Sequence, residues 1–443
     1  MSEPVTAIVL HPAIRGDESA RLPEARLEEA VGLAAAINLN VVAEEIAVVT
    51  QPRPATLIGG GKVEEIAARL DTFKPRPELV IVDGALSPVQ HRNLEKAWNA
   101  KVLDRTALIL EIFGERAQTA EGRLQVELAH LDYQRSRLVR SWTHLERQRG
   151  GAGFLGGPGE RQIESDRRAL DDKIVRLRKK LEDVRRTRTL QRAKRKKAPH
   201  PVIALVGYTN AGKSTLFNRM TKASVKAQDL LFATLDPTMR AIDLPSGVRA
   251  ILSDTVGFIS DLPTQLVAAF RATLEEVLEA DIIVHVRDIS HDDSEAQRLD
   301  VISVLRTLGI DEDDERPVIE ALNKIDLLPI DDRVDVVAIA RIEDGGIRRI
   351  PISAETGEGV DDLFDSIEAA LTAAHEAVTI VLPAPFGAAR AWLHQRSEIL
   401  DETPSGVDLV VSARMSKKTG GQFFKLFPDA SLAPDEIAAY KSA

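Results

Sequence analysis

Residues 202–215 read VIALVGYTNAGKST and decide the fold of the central part of the chain. The first five residues are apolar and predict a buried strand, and a helical pattern continues from Leu216. The segment from Gly207 to Ser214 matches G-x-x-x-x-G-K-[ST], a phosphate-binding loop (P-loop) between strand and helix. Its glycines allow N–H groups to point at phosphate oxygens, and the helix dipole favours the same anion. We therefore expect Lys213 to neutralise the β- and γ-phosphates and Ser214 to ligate Mg²⁺.

Two downstream motifs predict the base of the nucleotide. Asn323-Lys324-Ile325-Asp326 follows an apolar run and matches N-K-x-D. Its aspartate can accept hydrogen bonds from guanine N1–H and N2–H₂, whereas adenine offers no such donor pair and would leave the carboxylate unpaired. Asn323 and Lys324 are expected to brace the loop and cover the base. Ser353-Ala354-Glu355 matches the second guanine loop, so the predicted nucleotide is GTP.

The switch motifs lie between the P-loop and the guanine motifs. Asp254-Thr255-Val256-Gly257 matches D-x-x-G, in which the carboxylate reaches Mg²⁺ through water and the glycine amide contacts the γ-phosphate. Residues 232–238 read FATLDPT, and a threonine hydroxyl there is expected to close on Mg²⁺. Thr234 and Thr238 both qualify. We favour Thr234 because its Phe-x-Thr-Leu-x-Pro setting resembles that of Obg-type GTPases.

The predicted site residues fall into overlapping groups. Those expected to act on the reacting phosphate are Lys213, Thr234, Asp254 and Gly257. The side chains expected to ligate Mg²⁺ directly are Ser214 and Thr234. The residues expected to contact GTP are Gly207, Tyr208, Thr209, Asn210, Ala211, Gly212, Lys213, Ser214, Thr215, Phe232, Ala233, Thr234, Leu235, Asp236, Asp254, Thr255, Val256, Gly257, Asn323, Lys324, Ile325, Asp326, Ser353, Ala354 and Glu355.

Phe258 departs from the pattern of Ras-like proteins. It follows the D-x-x-G motif directly, where those proteins carry the glutamine that orients the attacking water. A phenyl ring cannot orient water. We therefore predict slow GTP hydrolysis by the protein alone, with the water positioned after a conformational change or by a partner.

The flanking sequence predicts an α/β protein of four parts. A P-loop GTPase domain is preceded by a small parallel α/β domain and a helical hairpin, and followed by a small α+β domain. The predicted bounds are 1–105 for the N-terminal domain, 106–198 for the hairpin, 199–376 for the GTPase domain and 377–443 for the C-terminal domain.

Short apolar and amphipathic runs predict the elements of the outer domains. In the N-terminal domain we expect strands at 6–10, 46–50 and 79–82. In the C-terminal domain we expect a helix over 387–400, followed by a strand over 406–413.

The hairpin is strongly basic. Residues 123–197 hold 22 Lys or Arg against 10 Asp or Glu, a net charge of +12, and the chain total of −10 leaves −22 for the rest. Leucines spaced by threes and fours predict an apolar seam, and residues 150–159, GGAGFLGGPG, predict a turn between two antiparallel arms. A basic arm of this kind fits insertion into folded RNA. The other interpretation is a solvated, charged coiled coil.

Residues 59–62, GGGK, look like a second nucleotide loop. However, Val63 follows the lysine and Thr56 stands where the first glycine is needed, so a strand-to-helix turn is the preferred interpretation. A second nucleotide site in the N-terminal domain is left open.

Composition predicts where the protein acts. The chain has no cysteine, which excludes disulfides and thiolate metal sites. The N-terminus carries no basic run leading into a long apolar stretch, and no run of about 18 apolar residues occurs. We expect a cytoplasmic monomer without a membrane span.

The sequence resembles the HflX family of ribosome-associated GTPases along nearly its whole length. The most specific segments are GYTNAGKST at 207–215, LFATLDPT at 231–238, DTVGF at 254–258 and GERQIE at 159–164, the last followed by Asp166-Arg167-Arg168. The resemblance implies docking on the large (50S) ribosomal subunit, hydrolysis stimulated by the ribosome, and a role in splitting or rescuing stalled or idle 70S ribosomes. The competing hypotheses are a GTPase of ribosome assembly or tRNA modification, and a GTP-gated RNA-binding scaffold whose hydrolysis is incidental.

Overall fold

The computed structural model describes residues 4–16, 21–148, 158–195, 200–222, 232, 238–260, 274, 276–310, 316–340, 347–373 and 375–433. These residues form three sheets, one in each of the N-terminal, central and C-terminal parts of the chain. Within the same residues, every helix is too short or too polar to span a membrane.

The N-terminal sheet is parallel throughout, with strand order β2-β1-β3-β4. Alternation of short strands and helices produces it, since each parallel connection needs a crossover helix. Strand β2 begins before the predicted run at 46–50: it extends back through Val41, Val42 and Ala43, which Glu44 and Glu45 separate from that run in the sequence. The strands are β1 (Thr6–Ile14), β2 (Asn40–Val49), β3 (Leu79–Val82) and β4 (Lys101–Asp104), and the helices are Pro23–Ala35, Gly60–Thr72, Pro88–Trp98 and Arg105–Arg116.

The helical hairpin consists of helices Ala120–Gln148 and Pro158–Arg195. Near its base, Leu131 packs against Ile174 and Leu177 in a small buried cluster. The glycine-rich tip predicted at 150–159 lies outside the described residues up to position 157, and the second helix already begins at Pro158. Proline suits the first turn of a helix because its missing N–H has no partner there in any case.

Arg135, a charged residue on the first hairpin helix, is held by acidic neighbours. Its guanidinium lies 2.9 Å from the Asp132 carboxylate on its own helix and 3.4 Å from Asp171 on the opposite arm. The two arms are therefore joined by ion pairs as well as by their leucines.

The central sheet has strand order β10-β9-β8-β5-β7-β6, and β6 is antiparallel to β7. The inner strands are mostly apolar, as expected of a parallel sheet with both faces buried, although β8 and β9 also carry the buried His285 and Glu320. The strands are β5 (Val202–Gly207), β6 (Thr238–Asp243), β7 (Arg249–Asp254), β8 (Ile282–Asp288), β9 (Val318–Asn323) and β10 (Arg348–Pro351). The helices include Lys213–Thr221, Ser294–Thr307, Ile330–Ala340 and Val360–Ala373, with a 3₁₀ turn at Ile325–Leu327.

The C-terminal part is an antiparallel sheet with order β12-β13-β11-β14 and two helices. The prediction of a helix over 387–400 is wrong at its C-terminal end, because the helix stops at Arg396 and a strand begins at Glu398. The strands are β11 (His375–Leu382), β12 (Glu398–Ser405), β13 (Asp408–Ser416) and β14 (Ser431–Leu432), and the helices are Gly387–Arg396 and Lys417–Leu426.

Candidate nucleotide-binding site

The P-loop conformation requires glycine at both of its motif positions. Gly207 has a φ of +151°, and a Cβ there would lie 2.2 Å from the Val286 carbonyl oxygen of β8. Gly212 has a φ of +93°, and a Cβ there would lie 2.2 Å from Asn323 Nδ2. The helix begins at the next residue, Lys213. The loop therefore ends at a helix N-terminus, where backbone N–H groups and the helix dipole favour phosphate.

Lys213 is buried beneath this loop. Its ammonium group donates a hydrogen bond to the Tyr208 carbonyl oxygen at 2.6 Å. Burial lowers the pKa of Lys213 to about 8, and the Asp254 carboxylate opposes that shift. Phosphate oxygens of a nucleotide would stabilise the charged form further, so the buried ammonium suits an anionic ligand.

An oxygen donor set suited to Mg²⁺ lies beside the loop. The Ser214 hydroxyl donates to the Asp254 carboxylate at 2.8 Å. Hydroxyl and carboxylate oxygens fit the preference of Mg²⁺ for hard ligands, which in nucleotide sites are completed by phosphates and water. Among the described residues, no group of three or more His, Asp or Glu side chains could hold a metal by itself. The pair therefore fits an ion that arrives with the nucleotide.

The predicted switch I residues are mostly outside the described residues, namely Ala233, Thr234, Leu235 and Asp236. Phe232 is described and buried, and its ring packs edge-on against Phe113 of the N-terminal domain at 4.7 Å. Thr238, the competing threonine, starts strand β6 opposite Asp254 of β7.

The segment after the D-x-x-G motif pairs with the P-loop as a short parallel bridge. The Thr209 amide donates to the Phe258 carbonyl at 2.7 Å, and the Phe258 amide donates to the Gly207 carbonyl at 3.1 Å. A Cβ on Gly257 would lie 2.8 Å from the Thr209 side chain and 3.0 Å from Lys213 Nζ. The glycine thus lets this segment, here called the switch II bridge (residues 257–260), lie directly against the phosphate loop.

The phenyl ring of Phe258 belongs to the core of the central domain. It is 2% exposed and is part of the main hydrophobic cluster. The ring is therefore a packing group, and the position that holds a water-orienting glutamine in Ras-like proteins has no polar side chain here.

Asn323 connects the P-loop to both guanine motifs. Its Nδ2 group donates to the Ala211 carbonyl at 2.7 Å, and its Oδ1 atom accepts from the Ala354 amide at 2.8 Å. Lys324 adopts a left-handed conformation and its ammonium lies 2.6 Å from Asp288. Asp326 follows in the 3₁₀ turn at the same edge of the sheet.

Arg219 also supports the guanine loop, a role that the sequence pattern did not reveal. Its Nε donates to the Ala354 carbonyl at 2.6 Å, and its guanidinium also donates to the Glu355 carbonyl. Gly357 passes so close that a Cβ there would lie 2.6 Å from the Arg219 guanidinium. The helix that carries Lys213 therefore positions both the phosphate loop and the base loop.

Tyr208, predicted to contact GTP as part of the P-loop, directs its side chain at the N-terminal domain. Its hydroxyl donates to the Glu29 carboxylate at 2.8 Å and accepts from Arg21 at 2.8 Å. It also accepts from the Ser260 amide, in the switch II bridge, at 2.7 Å. Burial and the Glu29 carboxylate raise the pKa of Tyr208, so the hydroxyl stays protonated and can donate.

Arg105 extends this contact into the N-terminal domain. Its guanidinium donates to the Ser260 hydroxyl at 2.8 Å and the Ser260 carbonyl at 3.0 Å, and it pairs with Glu29 and Asp83. Burial opposes the charge of Arg105, but the two carboxylates outweigh it and raise its pKa. His11 lies 2.8 Å from Asp83 behind it. We call Arg21, Glu29, Arg105, Tyr208 and Ser260 the interdomain cluster.

Lys62, the lysine of the GGGK segment, forms ion pairs with carboxylates of its own domain. Its ammonium pairs with Glu45 of β2 and lies 3.0 Å from Glu65. Burial opposes its charge, but hydrogen bonds to these carboxylates raise the pKa of Lys62. The segment starts the helix Gly60–Thr72, and its lysine neutralises carboxylates of its own domain.

Three families of known proteins match consecutive parts of the chain. Residues 24–114 match the family described as GTP-binding GTPase N-terminal, residues 116–195 the GTP-binding GTPase Middle Region, and residues 202–324 the 50S ribosome-binding GTPase family. A relative from Magnetococcus marinus named GTPase HflX is 50% identical over 392 residues, covering 88% of this chain and 87% of that protein.

Two further relatives were found in other organisms. The GTPase HflX of Escherichia coli is 46% identical over 352 residues, covering 79% of this chain and 80% of that protein. A GTP-binding protein from Sulfolobus solfataricus, solved in complex with GDP, is 25% identical with a TM-score of 0.44, covering 83% of this chain and 99% of that one.

Proposed function

Because this chain belongs to the HflX family of GTPases and hydrolyses GTP, we propose that it docks on the large ribosomal subunit and separates stalled or idle 70S ribosomes into subunits. The observation that carries the proposal is the hairpin. An arm with a net charge of +12 leads directly into a nucleotide-binding domain of a family described as 50S ribosome-binding. Neutralisation of phosphates by such an arm provides salt-dependent affinity for ribosomal RNA.

The P-loop and its neighbours would hold the nucleotide. Lys213 and the backbone amides of the loop would bind the β- and γ-phosphates, while Ser214, with Thr234, would ligate Mg²⁺. Mg²⁺ neutralises the charge that develops between the β- and γ-phosphate oxygens. Asp254 would hold water on the metal, and Asp326 would bind guanine through its paired donors.

Hydrolysis by this site is proposed to depend on the ribosome. Phe258 is a core residue and offers no hydrogen bond to the attacking water. The Gly257 amide would contact the γ-phosphate only after the switch II bridge has adjusted to it, which couples the bridge to the nucleotide state. Docking on the large subunit would complete the arrangement of the water, and the factor would leave after hydrolysis.

Sedimentation of purified 70S ribosomes tests the proposal. We expect the protein with GTP or a non-hydrolysable analogue to convert 70S particles into 50S and 30S subunits, and GDP to leave them intact. The Lys213→Ala variant should fail with every nucleotide. Intact 70S particles at saturating protein would contradict splitting, and accumulation of precursor particles in cells without the protein would favour an assembly factor.

Hydrolysis and nucleotide gating can be separated in the same assay. If the non-hydrolysable analogue supports splitting and many rounds of release as well as GTP does, hydrolysis is incidental and the scaffold hypothesis is correct. Our proposal requires that the analogue support splitting but leave the protein bound to the 50S subunit.

A further inference from the structure

The helix Ile330–Ala340 exposes an apolar face that the fold does not bury. Its core side is defined by Val336, which is buried and packs with Leu322 and Ile325. At about 100° per residue, Ile330 and Val334 lie on a different side of the helix from Val336. The helix therefore has an apolar face beyond the one that anchors it.

The 3₁₀ turn before the helix adds another exposed apolar residue, Leu327. Leu327 is 64% exposed, Ile330 81%, Val334 64% and Val337 42%. The three helical residues are separated by four and three positions, which places them in one row along the helix. We call these four residues the apolar stripe. Contiguous exposed apolar groups of this kind mark a site of protein contact more often than chance exposure does.

Acidic residues border the apolar stripe on one side, and Arg333 borders it on the other, where its guanidinium lies 3.8 Å from the Glu358 carboxylate that offsets its charge. Asp331, Asp332 and Asp335 are all exposed on the same helix. Helical geometry places Asp331 and Asp335 about one third of a turn from the stripe, and Asp332 further round. An apolar centre with a charged rim is the usual composition of a protein interface, and an acidic rim selects a basic partner.

The same charges argue against RNA as the occupant of this face. RNA presents phosphates, which Asp331 and Asp335 at the border of the stripe would repel and which valine and isoleucine cannot bind. The hairpin carries +12 and the remainder of the chain −22. The two surfaces therefore suit different components of one ribonucleoprotein: the hairpin suits RNA, and the stripe suits a basic protein.

We propose that the apolar stripe docks on a basic protein of the large ribosomal subunit through apolar side chains flanked by lysine or arginine. The inference rests on the proposed function, because it assumes that the chain binds this subunit. It adds that the GTPase domain contacts protein at a site that begins at Leu327, directly after Asp326 in the chain. Binding there would place a protein partner next to the guanine-binding loop.

A positive charge introduced into the apolar stripe should change the affinity for 50S subunits in opposite directions, depending on whether the stripe contacts a basic protein or RNA. In the Val334→Arg variant, we expect the dissociation constant for purified 50S subunits to rise roughly tenfold, since an arginine must lose its hydration against a basic surface. If the face contacted RNA, the added arginine would tighten binding. Truncation in Ile330→Ala should weaken binding to a protein and leave binding to RNA unchanged.

Leu299 provides a matched control. It is 50% exposed on another helix of the same domain, Ser294–Thr307. Leu299→Arg should bind 50S subunits as the wild type does. GTP hydrolysis in the absence of ribosomes should be unchanged in Val334→Arg, which shows that the domain is folded.

A photoreactive phenylalanine analogue at position 337 identifies the occupant. Cross-linking to a ribosomal protein in the 50S complex is the expected result. Cross-linking to ribosomal RNA, cross-linking to a second copy of this chain, or unchanged affinity of Val334→Arg would each overturn the inference.

Failure of the wild type to bind 50S subunits would contradict the proposed function, and the inference with it. Normal binding by both wild type and Val334→Arg would contradict only the inference.

Discussion

The Tyr208 hydroxyl donates a hydrogen bond to the Glu29 carboxylate across 2.8 Å, and this bond joins the P-loop to the N-terminal domain. The same hydroxyl accepts from the Ser260 amide in the switch II bridge. If the bridge adjusts to a γ-phosphate and Ser260 moves, either the Ser260–Tyr208 hydrogen bond changes or, when both residues move together, the Tyr208–Glu29 hydrogen bond changes. Tyr208 therefore joins the nucleotide site to the N-terminal domain, alongside the Arg105–Ser260 hydrogen bonds.

Loss of that hydroxyl should loosen the switch II bridge, which keeps its hydrogen bonds to Arg105. In Tyr208→Phe the Ser260 amide and Glu29 lose a partner while the ring stays in place. Since a buried hydrogen bond contributes about 0.5–1.5 kcal/mol, we expect ribosome-independent, single-turnover GTP hydrolysis to rise roughly two- to tenfold. Rapid-quench measurement at saturating enzyme would detect the change.

Tyr133 supplies the control for this variant. Its hydroxyl donates to Asp104 at 2.7 Å, so it is another partly buried tyrosine bonded to a carboxylate. Tyr133→Phe should lower the free energy of unfolding by a similar amount and leave hydrolysis unchanged. Equal acceleration in both variants would show that general destabilisation, and not the link to Ser260, controls the rate.

Removal of the Asn323 amide should weaken GTP and GDP alike. Asn323→Ala leaves the Ala211 carbonyl and the Ala354 amide buried with one partner fewer, at about 1–3 kcal/mol each. The loops that it braces are proposed to contact the base and the β-phosphate, which both nucleotides share. We expect the dissociation constants of both to rise roughly 30-fold or more, measured by titration with fluorescent analogues. A loss restricted to GTP would contradict this role.

The nucleotide motifs could be predicted from the sequence because each is a contiguous run. Gly207 to Ser214, Asp254 to Gly257 and Asn323 to Asp326 follow predicted strands, and the fold places all three at the same edge of one sheet. The interdomain cluster could not be predicted. Tyr208 and Glu29 are 179 positions apart, and neither their residue types nor the local sequence pattern indicates that they are in contact.

Strand β12 was not predicted, and the reason lies in its own sequence. Its sequence, EILDETPS, is mostly polar and includes Pro404, which is typical of a loop. It forms a strand because it lies at the edge of the C-terminal sheet, where proline can be accommodated and polar side chains reach solvent. Pairing with β13 decides its structure, and that information is absent from the segment itself.

His285 should make the stability of the protein depend on pH. Burial, with help from Arg287, lowers the pKa of His285 to about 3, whereas the unfolded chain has a pKa of about 6.5. Between these values the unfolded state binds the extra proton, so stability is retained above pH 6.5 and lost as the pH falls.

His285→Gln removes that titration. We expect the free energy of unfolding of the wild type to fall with decreasing pH by about 1.4 kcal/mol per unit more than that of the variant, between pH 6 and pH 4. Urea denaturation followed by circular dichroism would measure both. Parallel pH profiles would show that His285 does not titrate as its burial requires.

The central claim is that this GTPase site is completed by the large ribosomal subunit. Single-turnover GTP hydrolysis with and without purified 50S subunits tests it most directly. We predict slow hydrolysis by the protein alone and a rate at least about tenfold higher with 50S subunits, equivalent to lowering the barrier by about 1.4 kcal/mol. This stimulation should be lost when the basic residues of the hairpin are replaced by glutamine. A rate that is already fast alone, or that saturating 50S subunits leave unchanged, would contradict the claim.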